Sequence, residues 1–373
     1  MEALGLGRVS ALFVYLWGGF GRFINRKEKN MINYGLPYQG SKSAIAPWVI
    51  SCMPPGDTLV DLFCGGCAVT DAAMRAHRYK HFIINDINPM MPLTFNKALR
   101  GEYKNEDRWI SREDFIEKKD TDEYAAICFS FGNDMRTYLY SKTIEPYKKA
   151  CHYAVVDDDW RRLRKLCPEV VDAAYQALEH VSDRHERRLK FGPAIVRRLK
   201  EIGDARLVDS NPLYSSCHTK KPNKTRPVGT IKDLHSLQSL ESLERLQSLE
   251  RLESLESLER LQSLEGHNRP LLLPFIRDYR KVPIPEGAVV YCDPPYKNTT
   301  KYLVDFDHDA FYHWALTCDY PVFISEYAMP DEFAPIAIKQ KTCSKSATAT
   351  NIVAEKIFVQ RRYADKYKRD LFL

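Results

Sequence analysis

The chain reads as an α/β protein in which a sheet of buried strands is divided by a long helical insertion. Three observations predict this. Residues 58–86 run strand, glycine turn, helix, strand and acid, the pattern of a βαβ unit. Val289-Val290-Tyr291-Cys292 is a short β-branched and apolar run, the signature of a buried parallel strand. Between these two regions the composition turns polar and basic, and strand–helix alternation resumes only after Gly266.

At 373 residues the chain is long enough for two domains or for one domain with a large insertion. With 28% charged and 44% hydrophobic residues it has the composition of a globular protein, and a net charge of +6 suits a polyanionic partner without demanding one. Ten scattered cysteines and no evident secretory signal predict free thiols in a reducing cytoplasm. Cys64 and Cys67 form a C-x-x-C without a second pair at zinc-ribbon spacing, so they read as loop residues and no metal site is expected.

Residues 1–30 form an N-terminal extension, poorly ordered or an added helix. The apolar run Ala11–Trp17 is interrupted by glycines and Arg22 before it spans a bilayer. The cofactor and catalytic domain is expected over 31–125 and 266–373. It starts with a loop, NYGLPYQGSK (Asn33–Lys42), and a short helix over Ala44–Met53. Thr58–Phe63 is a strand, Cys64-Gly65-Gly66-Cys67 a tight turn, and the helix from about Thr70 to Ala76 leads to a second strand, His81–Asn85, ending at Asp86. Glycines let backbone approach a ligand closely, and an acid at the end of the second strand is placed to accept from a ribose diol. A satisfied structural turn is the alternative reading of the same residues.

An insertion over 126–233 follows. Ala125–Phe131 is a strand or a buried helix, with a turn at Phe131–Asp134. The basic clusters Arg161/Arg162/Arg164/Lys165, Arg184/Arg187/Arg188/Lys190 and Arg197/Arg198/Lys200 are interleaved with Tyr138, Tyr140, Tyr147, Tyr153 and Trp160. Each arginine singly suits a solvated helix face with partners such as Asp157 and Glu186, whereas the set suits an anion-facing surface. Lys220–Pro227 is a basic, proline-punctuated loop. Over 234–265 leucine recurs at every third position. That period winds an apolar stripe round an α-helix by about 60° per step, so the segment is neither a heptad seam nor a leucine-rich repeat. It reads as an expanded helix without chemistry, self-association being the weaker alternative.

Beyond it, Leu271–Ile276 is a strand ending near Asp278, Asp307–Thr317 a helix with Phe311 and Trp314 on one face, and Val322–Ser325 and Ile352–Val359 are further strands. The run Val289–Cys292 stops at Asp293-Pro294-Pro295-Tyr296. Each proline fixes its own φ, and the first pushes Asp293 towards an extended conformation. An acid and an aromatic ring are thereby held on a stiff loop at the carboxyl end of a strand, where open α/β sheets bind ligands.

In this order PYQGSK (37–42), DLFCGG (61–66), NDIN (85–88), DYRKVPIPEGAVVYCDPPY (278–296) and VFISEY (322–327) resemble the Dam-type, D12-class DNA adenine-N6 methyltransferases. The resemblance covers roughly Asn33 to Val359. It implies a Rossmann-like S-adenosylmethionine-dependent methyltransferase sheet with an inserted, mainly helical target-recognition domain. It implies a cofactor site from Tyr38, Lys42, Asp61, Phe63, Cys64, Gly65, Gly66, Asp86, Asp278 and Asp293, with Asp86 on the ribose and Asp278 near the adenine. The catalytic set is Asp293, Pro294, Pro295 and Tyr296. Double-stranded DNA is the implied partner, with a restriction endonuclease beside it if the enzyme is not solitary. Where the family's first motif ends in another glycine, this chain has Cys67.

The residues suit that chemistry. The lone pair of an exocyclic adenine amine is delocalised into the ring. The Asp293 carboxylate and the Pro294 carbonyl form an acceptor pair able to hold both N–H groups and aim the lone pair at a methyl donor. Tyr296 offers a face to a base flipped from the duplex, whereas Tyr302 fits better as a packed strand-end tyrosine. Methylation of cytosine N4 or another amine is the nearest alternative, and Asp293 argues against it because such enzymes more often place Ser or Asn there. A catalytically silent DNA-binding or assembly protein is the alternative from another class.

Overall fold

The computed structural model describes residues 34–37, 40–103, 106–201, 271–297, 306–346 and 349–368. The N-terminal extension, the loop Lys220–Pro227, the leucine-period segment, Tyr38 and Tyr302 lie outside the described residues. The chain divides into two compact units, one holding the described residues of Glu106–Glu253 and the other those of Met31–Asn105 and Ser254–Leu373.

The second unit is built on a seven-stranded sheet: β1 (Thr58–Asp61), β2 (His81–Asn85), β3 (Leu271–Phe275), β4 (Val289–Cys292), β5 (Val322–Glu326), β6 (Phe333–Ser346) and β7 (Ala349–Gln360). Their order is β3-β2-β1-β4-β5-β7-β6, and β7 runs antiparallel to both its neighbours while the other pairings are parallel. This mostly parallel order, reversing between β1 and β4, is that of a Rossmann-like sheet. β4 lies between β1 and β5 with all four of its residues buried, as its unbroken apolar run requires. Helices α1 (Ala46–Cys52), α2 (Ala68–Arg75) and α3 (Met90–Leu99) belong to the same unit. So do α10 (His308–Thr317) and α11 (Arg361–Tyr367).

One face of the sheet packs Val60, Ile83, Val290, Val322 and Ile324 against Phe311 and Ala315 of α10. Asp307 caps that helix by accepting from Ala310 N, the role expected of an N-terminal Asp. Phe311 and Trp314 lie together on its inner side, their rings 5.8 Å apart. Among the elements not expected from sequence are β6 and α3. β6 carries Pro335, a residue that reads against a strand, but β6 is an edge strand with a register shift between Pro335 and Ala337, where a missing N–H is tolerated. Helix α3 carries Pro92 within its first turn, where no intrahelical donor is lost.

The first unit is helical: α4 (Arg112–Lys118), α5 (Glu123–Cys128), α6 (Glu145–Val156), α7 (Arg161–Leu166), α8 (Pro168–Leu178) and α9 (Arg184–Glu201). Of the two readings for Ala125–Phe131, helix holds through Cys128, with Asp122 capping it by accepting from Ala125 N. The interleaved aromatics are partly core rather than surface. Tyr138, Tyr140 and Trp160 are buried, and Tyr140 stacks on Trp109 with ring centroids 5.5 Å apart. The basic residues also divide. Arg187 donates to Ala154 O, Val155 O and Val181 O, satisfying carbonyls at the end of α6 and just beyond α8, and pairs with Asp158. Arg188 pairs with Asp107, Lys190 with Glu186, and Arg161 and Arg162 with Asp159 rather than the expected Asp157. Arg161, Arg162, Arg164 and Lys165 remain exposed on α7, whose Leu163 is buried.

Candidate active site

In an open α/β sheet the strand order reverses at one point, and ligands bind in the crevice outside the carboxyl ends of the strands there. Here the reversal falls between β1 and β4. Three acids stand at that edge: Asp61 ends β1, Asp86 follows β2 and Asp293 follows β4. Asp61 is 1% exposed.

The glycine turn is pinned from three sides. Cys64 N donates to Asn85 O at the end of β2, and Leu62 N donates to Tyr291 O of β4. Gly65 has φ +44°, and its N–H donates to Asp86 Oδ2 at 2.9 Å. The third side comes from the loop before α1. Leu36 N donates to Gly66 O, and Gly35 N donates to the buried Asp71 Oδ2 at 2.8 Å. Gly35 sits at φ +69°, and a Cβ there would lie 2.3 Å from Gly66 O, so only glycine allows this approach. Cys67 takes the left-handed conformation, φ +58° and ψ +29°, as it enters α2. That is where the resemblance expects glycine, and a non-glycine residue there carries a strain of about 1–2 kcal/mol. Both turn thiols are buried, and burial pushes them up, so they are inert rather than reactive.

Asp86 accepts from Gly65 N through Oδ2 and from Asn88 N through Oδ1. Burial raises it above the usual carboxylate range, against those backbone donors. Asp61 accepts from the Thr70 hydroxyl at 2.8 Å through Oδ2, whereas its Oδ1 is buried with no partner. Burial first, then the charges of Asp293 and Asp86, push Asp61 up to about 7. An orphaned buried acceptor is costly to a fold and marks a place for an incoming donor. Phe63 is packed among Tyr279, Phe306 and Phe311 at centroid distances of 5.1–5.6 Å. Asp278 caps the short turn Tyr279–Lys281 and pairs with Arg280, which holds its carboxyl below the ordinary range.

On the β4 side Asp293 pairs with Lys42, Nζ lying 2.8 Å from Oδ1. Burial raises Asp293 and the ammonium opposes it. Lys42 Nζ also lies 4.4 Å from the centroid of the Tyr296 ring, and the ring of Tyr327 meets Tyr296 edge-on at 4.7 Å. Pro295 O is 2.8 Å from His308 Nε2, which ties the proline loop to the start of α10. Lys42, Asp61, Phe63, Cys64, Gly65, Gly66 and Asp86 thus share one unit with Asp278 and Asp293–Tyr296.

Three site residues escaped sequence reasoning. Glu355 of β7, 1% exposed, accepts from the Tyr296 hydroxyl and lies 3.7 Å from Lys42 Nζ. It shares a strand face with Ile357 and Val359, both buried, so an acid on the apolar face of a strand was the available signal. Glu326, at the end of β5, accepts from Tyr327 N, keeps Oε2 without a partner, and is pushed up to about 7 by burial. Asn85 donates to Leu62 O and Arg277 O and accepts from Arg277 N, joining the ends of β1, β2 and β3.

Residues 38–155 match the family model of D12 class N6 adenine-specific DNA methyltransferases. The matched stretch contains the glycine turn and Asp86, and Asp293–Tyr296 lies beyond it. No curated protein sequence matches the chain significantly. No described helix is long and apolar enough to cross a membrane. The family acts on DNA and implies a methyl donor, typically S-adenosylmethionine, and a glycine turn flanked by an orphaned carboxylate oxygen fits a ligand that brings its own hydrogen-bond donors. The match spans the glycine turn, Asp61 and Asp86, and over that stretch the chain is similar to the D12 class N6 adenine-specific DNA methyltransferases.

Proposed function

We propose that this chain transfers a methyl group from S-adenosylmethionine to the N6 amine of adenine in duplex DNA, at a specific sequence, with the target base flipped from the stack. The observation that best supports this is the row of acids Asp86, Asp61 and Asp293 at the reversal point of the strand order. When bound, S-adenosylmethionine supplies an electrophilic methyl group on a sulfonium. Asp86, fixed by backbone donors, accepts from the ribose hydroxyls through its remaining lone pairs. Asp61 Oδ1 is the acceptor left for a further donor of the cofactor.

On the substrate side, Asp293 and the Pro294 carbonyl accept the two N–H groups of the adenine amine and favour a tetrahedral nitrogen. Catalysis then comes from positioning and fixed charge, so Asp293 is an aligner of the amine rather than a strong base. Tyr296 supplies a stacking surface, and because the residue is 8% exposed, a neighbour of its ring must give way to the base. The helical unit serves target recognition, with the exposed cations of α7 contacting phosphates. The enzyme works alone or as the modifying partner of a restriction endonuclease.

The test is transfer of labelled methyl groups to duplex DNA. The product is N6-methyladenine, and Asp293→Ala abolishes it while circular dichroism stays unchanged. Equal activity in that variant would sink the mechanism, and N4-methylcytosine as product would redirect it. DNA binding with no thermal shift on adding S-adenosylmethionine would favour the silent binding protein.

A further inference from the structure

We propose that Glu355 is a positioning residue for the reaction, the second counter-charge of Lys42 that leaves the charge of Asp293 available to the substrate amine. The inference rests on the adenine-N6 reading above. Lys42 is 7% exposed and stands between two carboxylates, 2.8 Å from Asp293 Oδ1 and 3.7 Å from Glu355 Oε1. The Tyr296 hydroxyl donates to the same Glu355 oxygen. A phenol and an ammonium are both donors, so both turn to this carboxylate as their acceptor.

With Asp293 alone, Lys42 would form a neutral pair, and a neutral pair exerts little field on a neighbouring charge. Glu355 leaves this cluster with one carboxylate in excess. Transfer moves positive charge towards the adenine nitrogen, and an excess carboxylate beside that nitrogen lowers the barrier without reorganising. Glu355 also gives Lys42 somewhere to go. As the amine docks on Asp293, the ammonium shifts from the nearer carboxylate to the farther one, guided along the Tyr296 ring that it already faces at 4.4 Å.

The test compares two cofactor analogues by calorimetry on the full chain. S-adenosylhomocysteine is neutral where the methyl is carried, and sinefungin bears a protonated amine there. For Glu355→Gln, an isosteric change, sinefungin weakens on the order of tenfold relative to S-adenosylhomocysteine. The kcat/KM for methyl transfer falls by at least a similar factor, because S-adenosylmethionine carries its positive charge at the same place. Lys42→Met should shift the sinefungin preference the opposite way, and it carries the test if Glu355→Gln does not fold. An unchanged analogue ratio in either folded variant overturns the proposal. If neither analogue binds the unmodified protein, the cofactor reading itself fails, which is a different result.

Discussion

Replacing Asp61 by Asn should stabilise the protein at neutral pH while removing cofactor binding. Burial pushes the Asp61 carboxyl up to about 7 from an ordinary 3.8. In the folded chain it therefore keeps its proton up to about pH 7, whereas the unfolded chain releases it above pH 3.8. Between those values the folded state binds more protons, so stability falls as pH rises and levels off above about 7. A separation of about three pH units at 1.36 kcal/mol each gives a ceiling of about 4 kcal/mol for holding Asp61 ionised in the fold. That is a large fraction of the net stability of a domain. Asparagine has no charge to bury, and its carbonyl still accepts from Thr70. Urea unfolding of both proteins at pH 5, 6, 7 and 8 measures the effect. The variant gains on the parent as pH rises, by as much as a few kcal/mol at pH 8. Glu326, raised to about 7 from 4.5, gives both proteins a slope of the same sign, so the difference between them isolates Asp61. A difference that does not vary with pH would refute the reasoning. Stability gained together with S-adenosylmethionine binding lost is the behaviour of an acid kept for a ligand.

Substitutions at two further positions test how the glycine turn is held. Cys67→Gly should be more stable than Cys67→Ala by about 1 kcal/mol in urea unfolding, because both remove the buried sulfur and only glycine relieves the left-handed conformation. Asn85→Ala removes three hydrogen bonds to Leu62 and Arg277 and should cost about 2–3 kcal/mol. It should also weaken S-adenosylmethionine binding by calorimetry, since the turn hangs from the end of β2.

Much of the sheet was legible because its strands carry their environment in their composition. Val289–Cys292 is apolar without alternation, and a strand buried on both faces needs that pattern. β6 was hidden because an edge strand tolerates lysines and a proline that a central strand excludes. The turn at Gly65 and the acids after β2 and β4 were legible because glycine and proline chemistry is local. The partners of those acids were not. Lys42 entered the cofactor site only through the family resemblance, and the fold pairs it with Asp293 and Glu355, which are far away along the chain.

By itself, then, the sequence determined the α/β class, the order of the glycine-turn and proline-loop motifs, and the acids at the ends of β1, β2 and β4. These follow from apolar periodicity and backbone restriction, which act over a few residues. Only the tertiary structure decided which groups face one another. It left one oxygen of Asp61 without a partner, set Lys42 between two carboxylates and fixed Gly35 against the turn. It also committed Arg187 to carbonyls at the end of α6 and just beyond α8. Electrostatics and steric contact act through space, and a pairing across strands has no local signature in the chain.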